Sequence, residues 1–167
     1  INMEVEWLYV DINNKKLRIN KNDSMDIYSW RDWVKKPYWF KIKIHLHTNT
    51  SGYKNYRIKI NQKNYALSRV VYKAHNNDWD ITDSSKNNQV DHININSIDN
   101  RIENLRILTH QQNQFNTNAK GYTWHKQKKK WQAQIRFNGE VKYLGDFKKE
   151  EDAAISYLNA KEFYHKI

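Results

Sequence analysis

The 167 residues contain no cysteine, so a disulfide framework, a thiolate-held zinc and a thiol nucleophile are all excluded. Any metal must be held through nitrogen and oxygen. One proline and four glycines exclude collagenous and linker-like architectures, and no apolar run is long enough to span a bilayer. Acidic residues are also scarce, 18 Asp and Glu against 29 Lys and Arg, which leaves a formal charge of +11. A positive field of that size attracts a polyanion, and nucleic acid fits it better than anionic membrane, which calls for a basic amphipathic helix or a lipid anchor. The first residues, Ile1 to Glu6, read neither as a signal peptide nor as an anchor, so an intracellular protein with no membrane partner is expected. What the chain has is aromatic: seven Trp, eleven Tyr and five Phe, enough to argue against global disorder.

Periodicity divides the chain into three stretches. After the irregular start around Trp7, Leu8 and Tyr9 and the polar stretch Asp11 to Ser24, which reads as short strands and turns, residues Phe40, Ile42, Ile44 and Leu46 alternate with Lys41, Lys43, His45 and His47. That is the period of a strand with one apolar face, repeated by Tyr56, Ile58 and Ile60. Ala66 to Asn76 then carries Leu67, Val70, Val71 and Ala74 at helical spacing. From Gly121 a third pattern begins, in which Trp131, Ala133, Ile135 and Phe137 alternate with Gln132, Gln134 and Arg136 ahead of the hairpin signal Asn138-Gly139. The run Lys149 to Tyr164 places Ala153, Ala154, Tyr157, Leu158 and Ala160 on one helical face. The expected fold class is α+β: an N-terminal β-rich region, a short Asn-rich stretch from Gln89 to about Asn118, and a three-stranded antiparallel sheet packed on one helix. The expected domains are 1–118, with a core at about 66–118, and 120–167.

The chemistry concentrates between Val90 and Asn113. Asp91 and His92 are adjacent at the end of an apparent strand and would face opposite ways unless the strand kinks there. Thr109 and Gln112 form a capping box, which puts Asn113 in the first turns of a short helix. The Asp91-His92 pair, Asn104 in Asn-Leu-Arg and Asn113 on the following helix resemble the HNH homing-endonuclease family with its ββα-metal fold. The resemblance implies a site-recognising DNA endonuclease in which His92 is the general base and Asn104 orients it. It also implies that Asp91 and Asn113 share one divalent cation, Mg or Mn. His110 is the rival ligand. An imidazole, with its pKa near roughly 6.5, accepts a proton at neutral pH, and a carboxylate and an amide oxygen suit a hard cation.

Gly121 to Trp124, Trp131 to Arg136, Leu144-Gly145-Asp146-Phe147 and Ala153-Ala154-Ile155-Ser156-Tyr157 resemble the plant ethylene-response-factor (Apetala-type) DNA-binding domain, which lays its sheet in the major groove. The resemblance together with the alternation implies that Thr123, His125, Gln132, Gln134, Arg136 and Tyr143 meet double-stranded DNA. Trp124 and Trp131 are expected in the core. The protein is expected to act as a monomer. A catalytically inactive DNA-binding protein and an RNA-binding module are the competing readings.

Overall fold

The computed structural model describes residues 4–166. It is an α+β fold in two compact units, Ile1–Ile107 and Leu108–Ile167. The first unit opens with four strands, β1 (Trp7–Ile12), β2 (Lys15–Asn20), β3 (Asp23–Arg31) and β4 (Tyr38–Lys41), in one antiparallel sheet of that order. Asn13 and Asn14 both have positive φ, 51° and 58°, and so form the two-residue turn whose twist matches a right-twisted hairpin. Asn61 and Gln62 repeat this geometry between β6 (Lys54–Ile60) and β7 (Lys63–Ala66). Those two strands and β5 (Ile44–Thr48) form a three-stranded antiparallel sheet, and α1 (Leu67–His75) follows directly.

The alternating run at residues 40–46 is two strands rather than one. Lys41 ends β4 in the first sheet, the Ile42 amide donates to Ile27 O at 2.9 Å, and Ile44 begins β5 in the second. The chain therefore changes sheets inside what reads as a continuous pattern. Phe40 and Leu46 consequently lie exposed, and Ile42 and Ile44 only border the core. That core comprises Ile12, Leu17, Ile19 and Ile27 from the four-stranded sheet, Ile58 and Ile60 from β6, and Leu67, Val70 and Val71 from α1. Each is essentially without solvent exposure, and burying such a side chain contributes about 1.5–3 kcal/mol relative to leaving it in water.

Arg69 of α1 fixes the long connection that follows. Its guanidinium donates to the carbonyls of Ile81, Asp83 and Asn88 at 2.8–2.9 Å and lies 4.7 Å from the Trp79 ring. Burial lowers the pKa of Arg69 from its ordinary value, but a guanidinium remains charged. The pinned connection delivers the chain to β8 (Gln89–His92), which pairs with β9 (Leu105–Leu108).

In the second unit α2 (His110–Phe115) precedes a three-stranded antiparallel sheet, β10 (Tyr122–His125), β11 (Lys130–Phe137) and β12 (Glu140–Phe147), closed by α3 (Glu150–Tyr164). Ala133 and Ile135 of β11 and Ala153, Tyr157 and Ala160 of α3 are buried; Leu158 is exposed, and so is Trp124. Trp124 therefore lies outside the core and meets half-buried Trp131 edge-on at 5.4 Å. The unit begins at Leu108, ahead of the 118–120 boundary expected from the sequence, because Phe115 stacks on His165 at 4.1 Å and on Phe137 at 6.1 Å.

Gly121 joins these parts at φ +69°, its carbonyl accepting the Gln134 amide at 2.9 Å. A Cβ at this position would fall 2.0 Å from the Tyr157 ring. Gly121→Ala is therefore expected to destabilise the second unit by about 2–4 kcal/mol, combining left-handed backbone strain with overpacking, as read by thermal or urea unfolding.

Candidate nuclease site

The site is a loop built by asparagines between two short strands. β8 ends at His92 and the chain turns at once, the Ile95 amide donating to His92 O at 2.9 Å with Ile95 at φ 64°. Asn104, in the 3-10 turn Ile102–Asn104, is buried and clasps this loop from behind. Its Oδ1 accepts the Asn94 amide at 3.0 Å, its Nδ2 donates to Asn94 Oδ1 at 3.0 Å and Asp99 O at 2.8 Å, and its carbonyl accepts the Ile93 amide at 2.9 Å. All four bonds satisfy groups that would be costly to bury unpaired. Asn104 thus shapes the backbone that follows His92.

The imidazole itself meets Asn100, with Nε2 and Oδ1 3.1 Å apart. Asn100 is buried, so its amide oxygen has a fixed position. Sequence reasoning missed it, because in an Asn-rich stretch it reads as one more turn residue. Asp99 completes the loop: its carboxylate accepts from Asn94 Nδ2 at 2.8 Å and from Arg101 Nε and Nη2 at 2.9 and 2.8 Å. The Arg101 guanidinium, aided by Asn94, holds the Asp99 carboxyl far below the usual carboxylate range. A depressed carboxyl pKa gives stability that is full above the unfolded value and is lost only as pH falls towards the folded one. The Asp99 contribution to the loop is therefore intact across the neutral range in which an imidazole changes charge.

Asp91 is buried beside His92 on β8, and its Oδ2 accepts from Arg106 Nε of β9 at 2.9 Å. The partly buried Arg106 was not singled out by sequence spacing, since an Arg in Asn-Leu-Arg is equally at home on a solvated strand face. Asp91, His92 and Asn104 are brought together within the first unit.

Asn113 and His110 lie on α2 in the second unit. The expected capping box is present: the Thr109 hydroxyl accepts the Gln112 amide at 3.2 Å, and Gln112 Oε1 accepts the Thr109 amide at 3.0 Å. Asn113 follows in the same turn, its amide donating to Thr109 O at 2.9 Å. His110 Nε2 lies 2.9 Å from Gln114 Nε2 on the same helix. Among the described residues no group of three or more His, Asp or Glu side chains is placed to hold a metal ion. An Asp carboxylate and an Asn amide oxygen are donors that suit a hard divalent cation, which would complete its shell with water and phosphate.

In the C-terminal sheet, cross-strand partners fix a common face. Thr123 lies opposite Gln132, His125 opposite Lys130, Gln134 opposite Tyr143, and Arg136 opposite Val141. These residues alternate with Ala133 and Ile135, which are buried with α3, so Thr123, His125, Gln132, Gln134, Arg136 and Tyr143 share the opposite face. A bulge between Ala133 and Gln134 interrupts this register. Asp146, opposite Gln132, also belongs to the face; Lys128 donates to it at 2.9 Å and keeps its carboxyl below the ordinary range.

No curated protein and no solved structure matches this chain. Residues 65–115 match the family model HNH_3, HNH endonuclease, a span that contains Asp91, His92, Asn104 and all of α2. The match supports an HNH nuclease, a module that acts on DNA, in this part of the chain.

Proposed function

We propose that the protein is a site-recognising, divalent-metal-dependent DNA endonuclease of the homing type, with His92 as its general base. The observation that carries this reading is the buried Asn104 and Asn100 framework, which holds one imidazole at the turn after Asp91 inside the segment that matches HNH endonucleases. If Nε2–H donates to Asn100 Oδ1, the lone pair lies on Nδ1, and Nδ1 takes the proton from the water that attacks phosphorus. Asp91 and Asn113 are the proposed oxygen ligands of one Mg or Mn ion. When bound, that ion stabilises charge on the phosphate and on the leaving oxygen. The C-terminal sheet supplies the address: on the shared face Arg136 can pair with guanine, and Gln132 and Gln134 with adenine, in the manner of an ethylene-response-factor-like domain.

A second reading is favoured by one contact. Arg106 already neutralises Asp91, and a pair that never opens would leave a DNA-binding protein without cleavage. Incubating the protein with a randomised duplex library and Mg or Mn, then mapping the ends, separates the two. Ends that recur at one sequence support the proposed function; ends scattered at random remove site recognition, and no ends at all favour the non-catalytic reading. Arg136→Ala should weaken binding at one base position by about 1–3 kcal/mol if it reads guanine, and all sequences equally if it touches only phosphate, as titration on matched and mismatched duplexes would show.

A further inference from the structure

The face of the four-stranded sheet turned away from the core is aromatic. Val10, Ile12, Leu17, Ile19 and Ile27 point inward, so Trp7 and Tyr9 of β1, Arg18 of β2, Tyr28 and Trp30 of β3 and Trp39 of β4 share the other side. β1 and β4 are the two edges of this sheet, three strand spacings apart, or about 14 Å if it were flat. Yet the Tyr9 and Trp39 ring centroids are only 5.9 Å apart, and Trp30 and Trp39 are 5.2 Å apart. The rings from the two edges lean together across Arg18. A cleft of about 690 Å³ borders these rings, lined by Tyr9, Trp30 and Trp39 with Asp11 and Lys16 from the same face and, from α1 and beyond, Lys73 and Asn77.

Arg18 sits in the middle of the rings, its guanidinium 4.3 Å from Trp7 and 4.9 Å from both Tyr28 and Trp39. Its Nε–H is shielded from solvent and has no acceptor. Lys16 and Lys73 outnumber Asp11 in the lining of the cleft, while on the same sheet face Lys41 is bonded to Asp26 at 2.8 Å. We propose that this aromatic face binds single-stranded DNA, with unpaired bases stacked on Tyr9, Trp30 and Trp39 and the backbone drawn by Arg18, Lys16 and Lys73.

The chemistry selects this occupant over others. A duplex keeps its base faces stacked on one another and offers ring edges in its grooves, so exposed aromatic faces gain nothing from it. An unpaired base has a free π-face, and stacking on an aromatic side chain needs no particular sequence. A cationic peptide, such as one bearing methylated lysine, is repelled by the surplus of positive charge. The choice of DNA over RNA rests on the nuclease reading above; the stacking surface does not.

The test compares a labelled oligodeoxythymidylate with an abasic oligonucleotide of the same length, by fluorescence anisotropy with the full chain in EDTA. Both carry the same phosphates, so charge alone gives equal affinity. Stacking predicts tighter binding of the thymidylate by about 5- to 100-fold per base engaged. Trp39→Ala and Tyr9→Ala should reduce that preference while leaving abasic binding unchanged. Tyr9 is 59% exposed, so its variant keeps the test open should Trp39→Ala fail to fold. Equal affinity for the two strands, or a preference that survives both folded variants, would overturn the proposal. Tighter binding of oligouridylate, or full competition by a trimethyl-lysine peptide, would overturn the assignment to DNA. No cleavage enters this measurement, so it can fail while the nuclease reading stands, and the reverse.

Discussion

His92→Ala is expected to lower the rate of DNA cleavage by about 10²- to 10⁴-fold while duplex affinity stays near that of the parent, because general-base catalysis supplies about that much and the imidazole adds little to phosphate binding. The prediction is specific to chemistry because most of the loop's bonds lie outside the ring. Asn104 holds Asn94 and the Asp99 carbonyl, Asp99 holds Arg101, and none of these bonds passes through His92. Asn100→Ala should produce a smaller loss of the same kind, since it removes the amide oxygen 3.1 Å from Nε2 and leaves the base itself in place. Single-turnover cleavage paired with equilibrium binding measures both. A His92→Ala protein that cleaves as fast as the parent removes His92 from the mechanism.

Asp91→Ala is expected to abolish metal-dependent cleavage, and the structure adds a complication. The carboxylate is buried against Arg106, so removing it leaves a partly buried guanidinium without its partner, at a cost of about 1–3 kcal/mol in stability. A loss of activity alone would therefore be ambiguous. The double variant Asp91→Ala/Arg106→Ala resolves it: removing both partners should recover much of the stability, read by thermal unfolding, yet restore no cleavage. Recovery of cleavage along with stability would make Asp91 a structural residue, and would move the metal elsewhere. Arg106→Ala alone discriminates the two readings of the ion pair. If the pair only restrains Asp91, cleavage persists in this variant.

Local signals were legible in the sequence, and pairings set by tertiary context were not. The Thr109 and Gln112 capping box involves residues three apart, so its two hydrogen bonds follow from the sequence alone. The Asn138-Gly139 turn is equally local, and strict alternation from Trp131 to Phe137 placed Gln132, Gln134 and Arg136 on one face. At 40–46 the same alternation misled, because period two marks an extended chain without saying which sheet receives it. The polar stretch after Tyr9 reads as short strands and turns without showing which strands pair: the β1–β2 hairpin turns on two consecutive left-handed asparagines, and the outer face of the sheet is aromatic and basic rather than plainly polar.

Asn100 and Arg106 were illegible for a different reason. Each is an ordinary residue type whose significance is a single contact, to His92 and to Asp91, and a contact has no signature in composition. The stacking of Phe115 on His165 likewise joins residues 50 apart in sequence. It also bears on how the C-terminal sheet can be tested: cutting at Lys120 would strip α2 of the partners that bury Phe115, so point substitutions such as Arg136→Ala are the cleaner probe of address.

The central claim is that this chain hydrolyses DNA with His92 and a divalent cation, and nicking of supercoiled plasmid tests it most directly. Parent and His92→Ala proteins are incubated side by side with Mg, with Mn, or with EDTA. The account predicts nicked or linear DNA from the parent only when metal is present, and at least about 100-fold less from His92→Ala under the same conditions. Nicking that persists in EDTA, or that His92→Ala performs at the parent's rate, would contradict it.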